Sequence, residues 1–200
     1  MVSSPGHTLM FDCGWDGHIL ERNLSRLGVS FDEIDIVVLS HQHWDHISGL
    51  TRLLAQRKRD DRLRAFIPAG FSERLKGEIS RKAQLEEVHE AREIAPGIMT
   101  TGQLGRDIKE QSLMLLSAGR SVVLTGCAHP GLGTILGRAR EYARPAILVG
   151  GLHGAKSEDV PTDLETAILC HCTRNREAIL SMLGDRGLVG AAGAKYDLHL

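Results

Sequence analysis

The sequence predicts a mixed α/β fold in which helices cover a mixed β-sheet. Short apolar runs typical of buried strands alternate with segments whose apolar residues have helical spacing. One pair of strands is joined by a turn that contains glycine, which predicts a hairpin. The 200 residues are 42% apolar and 24% charged, and this composition fits one globular domain, residues 1–200, with a sizeable core.

The predicted elements follow one another along the chain without an internal repeat. Strands are predicted at 8–12, 34–40, 63–68, 112–116, 121–125, 145–149, 167–170, 188–189 and 196–200, with a weaker one at 88–94. Helices are predicted at 19–27, 47–59, 132–142 and 174–183. Residues 71–95 are polar with mixed charges, which favours a surface excursion.

Composition also excludes several classes of function. The formal net charge is −1 and the chain has no long block of Lys and Arg, so we expect neither nucleic acid nor an anionic membrane as a partner. No apolar stretch reaches the length of a membrane span, and residues 1–6 do not resemble a signal peptide. The four cysteines lack the spacing of a disulfide framework, which predicts reduced thiols and a cytoplasmic location.

The main functional signal is the string His41-Gln42-His43-Trp44-Asp45-His46, directly after the predicted strand 34–40. A loop at the carboxyl end of a strand is where α/β folds place their chemistry. His41 and His43 are close enough in sequence to bind one ion, and Asp45 with His46 can reach a second. Imidazole and carboxylate suit zinc, iron or manganese, and the lack of cysteine here argues against a closed structural zinc site. The alternative is a polar loop that is merely rich in histidine.

Three later histidines occur in the same context. His129, His153 and His171 each lie just past a predicted strand, in a turn rich in glycine or cysteine. Each one singly is typical of a polar turn, but jointly they predict metal ligands at one edge of the sheet. The cysteines beside these turns can bind metal as thiolates, although small buried packing residues are the commoner case. Asp12, at another strand end, is predicted to orient a ligand histidine or to serve in a turn or cap.

These features together resemble the metallo-β-lactamase superfamily. Within it, the sequence is similar to a branch of metal-dependent hydrolases that also includes dihydropterin-ribosylaminobenzene-phosphate synthase-like transferases. The strings that carry this likeness lie at 96–102, 109–113, 126–131, 150–153 and 171–173. The resemblance extends from about residue 9 to the C-terminus. It implies an αββα sandwich of mixed sheets.

The resemblance also implies a set of metal ligands. The first metal would be held by His41, His43 and His129, and the second by Asp45, His46 and His171. Many relatives have an aspartate that bridges the two ions, whereas this chain has His153 in that region. The expected cofactor is therefore one or two divalent ions per chain, zinc first, with iron or manganese as alternatives.

The function expected from these residues is hydrolysis by metal-activated water. Asp45 is predicted either to bind the second metal or to orient the water and deliver a proton. Lys156 and Arg174 are candidate anchors for a small anionic substrate, such as a phosphate ester or a carboxylate, with exposed surface charges as the alternative. Two other functions stay open: pterin transfer, and a non-catalytic metal-binding remnant of the fold.

Two departures from the superfamily pattern give further expectations. Only eight residues precede the strand that begins near Leu9, which predicts a first sheet lacking N-terminal strands. A bare sheet edge tends to pair with another chain, so a homodimer or poor solubility is expected. The segment between His153 and His171 is also too short for a full crossover helix followed by a strand.

Overall fold

The structure, a computed structural model, describes residues 1–4, 6–59 and 63–198, with only the backbone described at residues 3 and 4. The chain divides into two compact units, Met1–His89 and Glu90–Leu200. Each unit is built on its own mixed sheet with helices, so the predicted fold class is confirmed. A single domain spanning the whole chain stays a prediction.

The first unit contains a five-stranded sheet with the strand order β1-β2-β3-β4-β5. Its elements are β1 (Val2–Ser4), β2 (His7–Phe11), α1 (Gly17–Arg26), β3 (Ile36–Val38), α2 (Trp44–Ile47), α3 (Leu50–Gln56), β4 (Leu63–Pro68), α4 (Glu73–Ser80) and β5 (Ala83–Val88). Strands β2 to β5 are parallel to their neighbours, and β1 is antiparallel to β2. The parallel arrangement brings the carboxyl ends of β2 and β3 to the same edge.

The core of the first unit lies between one face of this sheet and three helices. Alternate residues of β2, β3 and β4 contribute side chains such as Met10, Val37 and Ala65, which pack against apolar residues of α1, α3 and α4. Burial of this apolar surface is the main favourable term in holding the sheet and helices together.

Three expectations for this unit are wrong. The edge of β2 is not bare, because β1 pairs with it in the register Val2↔Leu9; β1 has three residues and no apolar alternation that a sequence pattern would show. The helix predicted at 47–59 is two helices, interrupted at Ser48 and Gly49. The excursion predicted at 71–95 instead holds α4 and β5, whereas the weaker strand predicted at 88–94 is confirmed at Glu90–Ala95. The homodimer stays a prediction.

Asp35 connects the start of β2 to the segment before β3. Its contacts predict that the stability of the fold decreases at acidic pH. Its carboxylate accepts hydrogen bonds from Thr8 N (2.9 Å) and from the Arg59 guanidinium (2.6 Å). Burial raises the pKa of Asp35, but the bonds from Thr8 and Arg59 outweigh it and hold the pKa below its ordinary value. The contact therefore stabilises the fold above the unfolded pKa, about 3.9, and is lost as the pH falls through the folded pKa.

We expect Asp35→Asn to lower the melting temperature at pH 7, because the amide loses the charged partner of Arg59. The difference from the parent chain should shrink as the pH falls below about 4. Thermal unfolding followed by circular dichroism at pH 7 and pH 3 measures both values. Asp185→Asn, at an exposed position, serves as the control. An equal deficit at both pH values would contradict the assignment.

The second unit contains a seven-stranded sheet with the order β12-β11-β10-β9-β8-β7-β6. Its elements are β6 (Glu90–Ala95), β7 (Ile98–Gly102), β8 (Leu113–Ser117), β9 (Arg120–Thr125), α5 (Leu132–Arg140), β10 (Arg144–Gly150), β11 (Thr166–Leu169), α6 (Arg176–Leu183) and β12 (Gly187–Val189). Strands β9 to β12 are parallel, and β6 to β8 pair antiparallel. Helices α5 and α6 contribute to a core with β9, β10 and β11.

Most sequence predictions for this unit are confirmed. The hairpin of β8 and β9, the helices α5 and α6, and the strands β10 to β12 lie where they were expected. The connection from β10 to β11 contains a short 3-10 turn, Ser157–Asp159, which agrees with a segment too short for a crossover helix. Strand β7 was missed. The strand predicted at 196–200 is wrong for residues 196–198, and residues 199 and 200 lie outside the described residues.

Among the described residues, no helix combines the length and the apolar character needed to cross a membrane.

Candidate metal-binding site

The predicted ligand string of the first unit lies at the carboxyl end of β3. His41 follows the strand, His43 caps the start of α2, and Asp45 and His46 belong to that helix. His41 and His46 are buried, while His43 and Asp45 are half-buried. The four side chains therefore project from one short segment whose backbone is fixed at both ends by regular structure.

Asp12 is the residue that holds this segment in place. It follows β2 in the left-handed region (φ 58°), and its backbone N–H donates to Val38 O at 2.9 Å. Its carboxylate accepts hydrogen bonds from Ser40 N (2.6 Å) and Ser40 Oγ (2.7 Å), and lies 2.7 Å from His46 Nδ1. The structure thus places Asp12 against one of the predicted ligand histidines.

These contacts fix which ring nitrogen of the buried histidines carries a proton. The Ser40 hydroxyl has one hydrogen, which it donates to the Asp12 carboxylate, because a carboxylate cannot donate. Ser40 Oγ must therefore accept from His41 Nδ1, 2.8 Å away. His46 Nδ1 donates to Asp12 in the same way. When either ring is neutral, its lone pair is therefore on Nε2, and this is the form that binds a metal.

The distances between donor atoms fit a divalent metal. His41 Nε2 lies 3.1 Å from His43 Nδ1, and two nitrogens bound at about 2.0–2.1 Å to one zinc ion are about 3–3.5 Å apart. His46 Nε2 lies 3.7 Å from Asp45 Oδ2, which is also short enough for one ion to contact both atoms. Nitrogen and carboxylate donors of this kind suit zinc, iron or manganese.

Replacing Asp12 by alanine should weaken metal binding without removing a ligand. Both His46 Nδ1 and Ser40 lose their shared acceptor, so the two buried rings are no longer held in one tautomer. Loss of such a contact typically lowers metal affinity by about 10- to 100-fold. Zinc titration with a competing chelator measures the change, with Asp16→Ala, an α1 cap, as the control. An unchanged affinity would contradict the orienting role.

In the second unit, His129 lies in a loop held by the buried carboxylate of Glu110. Glu110 is 0% exposed. Its Oε1 accepts from Cys127 N (3.0 Å) and Ala128 N (2.9 Å), and its Oε2 accepts from His129 N (2.9 Å). Ala128 has a left-handed backbone (φ 60°), a strained conformation that these three bonds stabilise. Glu110 therefore sets the position of His129.

His153 is brought close to His129 by contacts between the loops that follow β9 and β10. Thr125 Oγ1 donates to Gly151 O at 2.9 Å. Gly150 (φ 136°) leaves no room for a side chain, since a Cβ there would lie 2.1 Å from Thr125 O. The rings of His129 and His153 have centroids 4.6 Å apart. These two predicted ligands are therefore neighbours.

His171 and Arg174 line one cavity of about 510 Å³ at the start of α6. The cavity is lined by His171, Thr173, Arg174, Asn175, Arg176, Glu177 and Ala178. The segment is anchored because Arg174 N donates to His153 O at 2.8 Å and Thr173 Oγ1 accepts from Leu152 N at 3.1 Å. Lys156, the other predicted anchor, is not among the lining residues, and its ammonium lies 3.4 Å from Glu158.

Sequence reasoning gave no role to Glu110 and little weight to the cysteines. A ligand nitrogen of His129 and Cys127 Sγ lie within 4.8 Å of each other, as do a ligand nitrogen of His171 and Cys172 Sγ. Both thiols are thus placed as additional donors. Glu110 lies inside a string that carried the resemblance, but its contacts are with backbone N–H groups of a distant loop. Such contacts leave no residue pattern.

Comparison with known proteins identifies the protein family to which the chain belongs. Residues 7–109 match the family described as the β-lactamase superfamily domain. The structure also superposes on the crystal structure of Tm1679, a metal-dependent hydrolase of the β-lactamase superfamily, with a TM-score of 0.72, 21% identity and coverage of 98% of this chain and 95% of that one. The chain belongs to the β-lactamase superfamily and has the metallo-β-lactamase fold. That fold implies binding of divalent metal.

Curated relatives match over shorter stretches. The uncharacterized protein MJ0448 of Methanocaldococcus jannaschii is 25% identical over 72% of this chain and 67% of its own length. Ribonuclease Z of Clostridium acetobutylicum is 32% identical over 38% of this chain, and the match spans a quarter (25%) of that enzyme. These comparisons support the superfamily, but they give no support to the narrower pterin-synthase-like branch or to the transferase function it implied.

Proposed function

We propose that this chain is a metal-dependent hydrolase that cleaves a small anionic ester, most directly a phosphate ester. The observation that carries the proposal is the fixed pair of ring tautomers in the first unit. Ser40 binds Nδ1 of His41 and Asp12 binds Nδ1 of His46, so that Nε2 is the metal-binding atom of each neutral ring, which is an arrangement suited to binding a cation.

The ligand assignments that the resemblance implies are carried forward as part of this proposal. His41, His43 and His129 would hold one ion, and Asp45, His46 and His171 another, with His153 in the region where relatives have a bridging carboxylate. Zinc is the proposed metal, and iron and manganese are the alternatives. When bound, such an ion acts as a Lewis acid and lowers the pKa of water towards about 7.

Asp45 is the residue proposed to act on the water. Its carboxylate has 34% of its side-chain surface exposed and lies 3.7 Å from His46 Nε2. A carboxylate that is reachable by solvent and next to a fixed imidazole can orient a water molecule, accept its proton and later deliver that proton to the leaving group.

The charge around His171 supports an anionic substrate. Arg174 and Arg176 line the same cavity as His171, with one carboxylate, that of Glu177, among the lining residues. A guanidinium binds phosphate or carboxylate with two parallel hydrogen bonds, which gives both affinity and orientation. The ribonuclease Z relative is named for an activity on RNA, which is consistent with a phosphate ester.

The proposal is tested by steady-state hydrolysis of bis(para-nitrophenyl) phosphate and para-nitrophenyl phosphate, with and without added zinc. We expect metal-dependent hydrolysis, abolished by a chelator and restored by zinc. Arg174→Ala should raise KM by about tenfold or more, because it removes a charged hydrogen-bond donor. Lys156→Ala should change KM less, since Lys156 does not line the cavity. Full activity in the presence of the chelator would contradict the proposal.

A further inference from the structure

An apolar groove in the first unit begins at Trp44, inside the predicted ligand string. Its volume is about 330 Å³, and it is lined by residues of α2, α3 and α4, namely Trp44, Ile47, Ser48, Leu50, Thr51, Leu54, Leu75, Glu78, Ile79 and Lys82. This volume is at the low end of the range of small-molecule sites, about 300–1,000 Å³. A single ring system fits such a space.

Two exposed indole rings lie side by side, and one of them, that of Trp44, lines this groove. Trp44 is 63% exposed and Trp15 is 58% exposed, and the chain has no other tryptophan. The two rings pack edge to face with centroids 6.1 Å apart, a geometry that aromatic pairs favour. Both indole rings of the chain are therefore exposed to solvent instead of buried in the core, and Trp44 is next to two proposed metal ligands in the sequence.

The backbone that carries the two rings is rigid. Cys13 N donates to His46 O at 2.7 Å, and Gly49 N donates to Gly14 O at 3.1 Å. A Cβ on Gly49 would lie 2.1 Å from Cys13 O, so the close approach of the two segments requires glycine. Trp15 is thus held against Trp44 by its backbone as well as by its ring. A preformed aromatic surface binds a flat ligand with little loss of conformational entropy.

We propose that the substrate carries a flat aromatic ring, and that this ring binds in the groove against Trp44. The inference rests on the proposed function, because Trp44 lies between the proposed ligands His43 and Asp45 in the chain, with its Cα about 3.8 Å from the Cα of each. Glu78 and Lys82 also line the groove, and their opposite charges favour a ring without net charge. Trp44 becomes a specificity-determining residue and Trp15 positions it.

The test compares binding of two anions that cannot be hydrolysed, para-nitrophenylphosphonate and methylphosphonate, to the metal-loaded chain by titration calorimetry. The two share the phosphonate group, and the first carries a nitrophenyl ring where the second carries a methyl group. We expect the aromatic compound to bind about tenfold or more tightly, from ring burial and aromatic contact. In Trp15→Phe, where Trp44 is the sole indole, the nitrophenyl ring should also quench the fluorescence of Trp44.

Variants at two positions distinguish ring binding in the groove from general effects on the fold. Thr51 is exposed and lines the groove, so Thr51→Phe should fill it and reduce the preference for the aromatic compound to about twofold or less, with methylphosphonate affinity unchanged. Trp44→Ala should lose the preference and Trp44→Phe should keep it. Equal affinities for the two phosphonates in the parent chain, or a preference that survives in Thr51→Phe, would overturn the proposal.

The hydrolysis assay reports on the proposed function independently. Without metal-dependent hydrolysis the proposed function fails, while a ring preference that disappears in Thr51→Phe still supports an aromatic-binding groove. Metal-dependent hydrolysis without a preference for the aromatic compound would support the proposed function and overturn the proposal that the groove binds a substrate ring.

Discussion

Asp45→Asn should reduce kcat for bis(para-nitrophenyl) phosphate by about 10²–10⁴-fold, the range expected when a general acid–base group is removed. The amide keeps an oxygen that can contact a metal, but it can neither take up nor deliver a proton. The half-buried carboxylate 3.7 Å from His46 Nε2 is placed for both roles. We expect the loss of rate to persist at saturating zinc. Added zinc can restore occupancy of the metal site, but it cannot replace the missing proton acceptor.

Steady-state rates at increasing zinc concentration measure this effect, with zinc content per chain determined in parallel. Asp107→Asn, an exposed carboxylate in the second unit, is the matched control and should retain the parent rate. A variant that regains a rate within tenfold of the parent at saturating zinc would show that Asp45 acts only as a ligand.

Glu110→Gln should destabilise the fold and displace His129 at the same time. The carboxylate offers two acceptor oxygens to three N–H groups, whereas the amide offers one oxygen and turns two N–H donors towards the loop. At a position that is 0% exposed, a mismatch of this kind costs about 2–5 kcal/mol. The His129 loop then relaxes away from its strained backbone, and affinity for metal falls.

Urea unfolding and zinc titration of the folded variant measure the two effects separately. Glu141→Gln, an exposed residue at the end of α5, controls for loss of a carboxylate as such. If Glu110→Gln lost stability but kept the parent affinity for zinc, Glu110 would be a structural residue only and not a positioning residue for His129.

Much of the first unit was predictable because its signals are local. The apolar run before His41 predicted β3, and helical spacing with Gly28 predicted α1, whose end is marked by a left-handed Gly28 (φ 74°). The ligand string stood out because four donor side chains follow directly after a buried strand. Signals of this kind depend only on residues close in sequence.

The elements that were missed are those whose environment is set by distant residues. β5 has only Ala83 and Val88 buried along its length, because it is an edge strand of the sheet, and charged side chains are common on such edges. The buried Lys76 of α4 pairs with Glu87 of β5 at 2.8 Å, but in the sequence these two residues are indistinguishable from ordinary surface charges. The region therefore resembled a loop.

The residues of the candidate site also fall into those that the sequence pattern predicted and those that it did not. His41, His43, Asp45 and His46 were recognisable from spacing, and Asp12 from its place at a strand end. Glu110 was not, since a glutamate 19 residues before His129 is bound to the loop backbone through contacts that any loop sequence can make. The exposure of the two indole rings was also not predicted, because exposure depends on the fold and not on the residue type.

The central claim is that this chain binds divalent metal through the proposed histidines, and metal content per chain tests it most directly. Protein purified without added metal is analysed for zinc, iron and manganese, together with His129→Ala, after circular dichroism has shown that both chains are folded. The account predicts one or two ions per parent chain and a clear decrease in the variant. Folded parent protein that holds no metal and takes up none from zinc solution would contradict it.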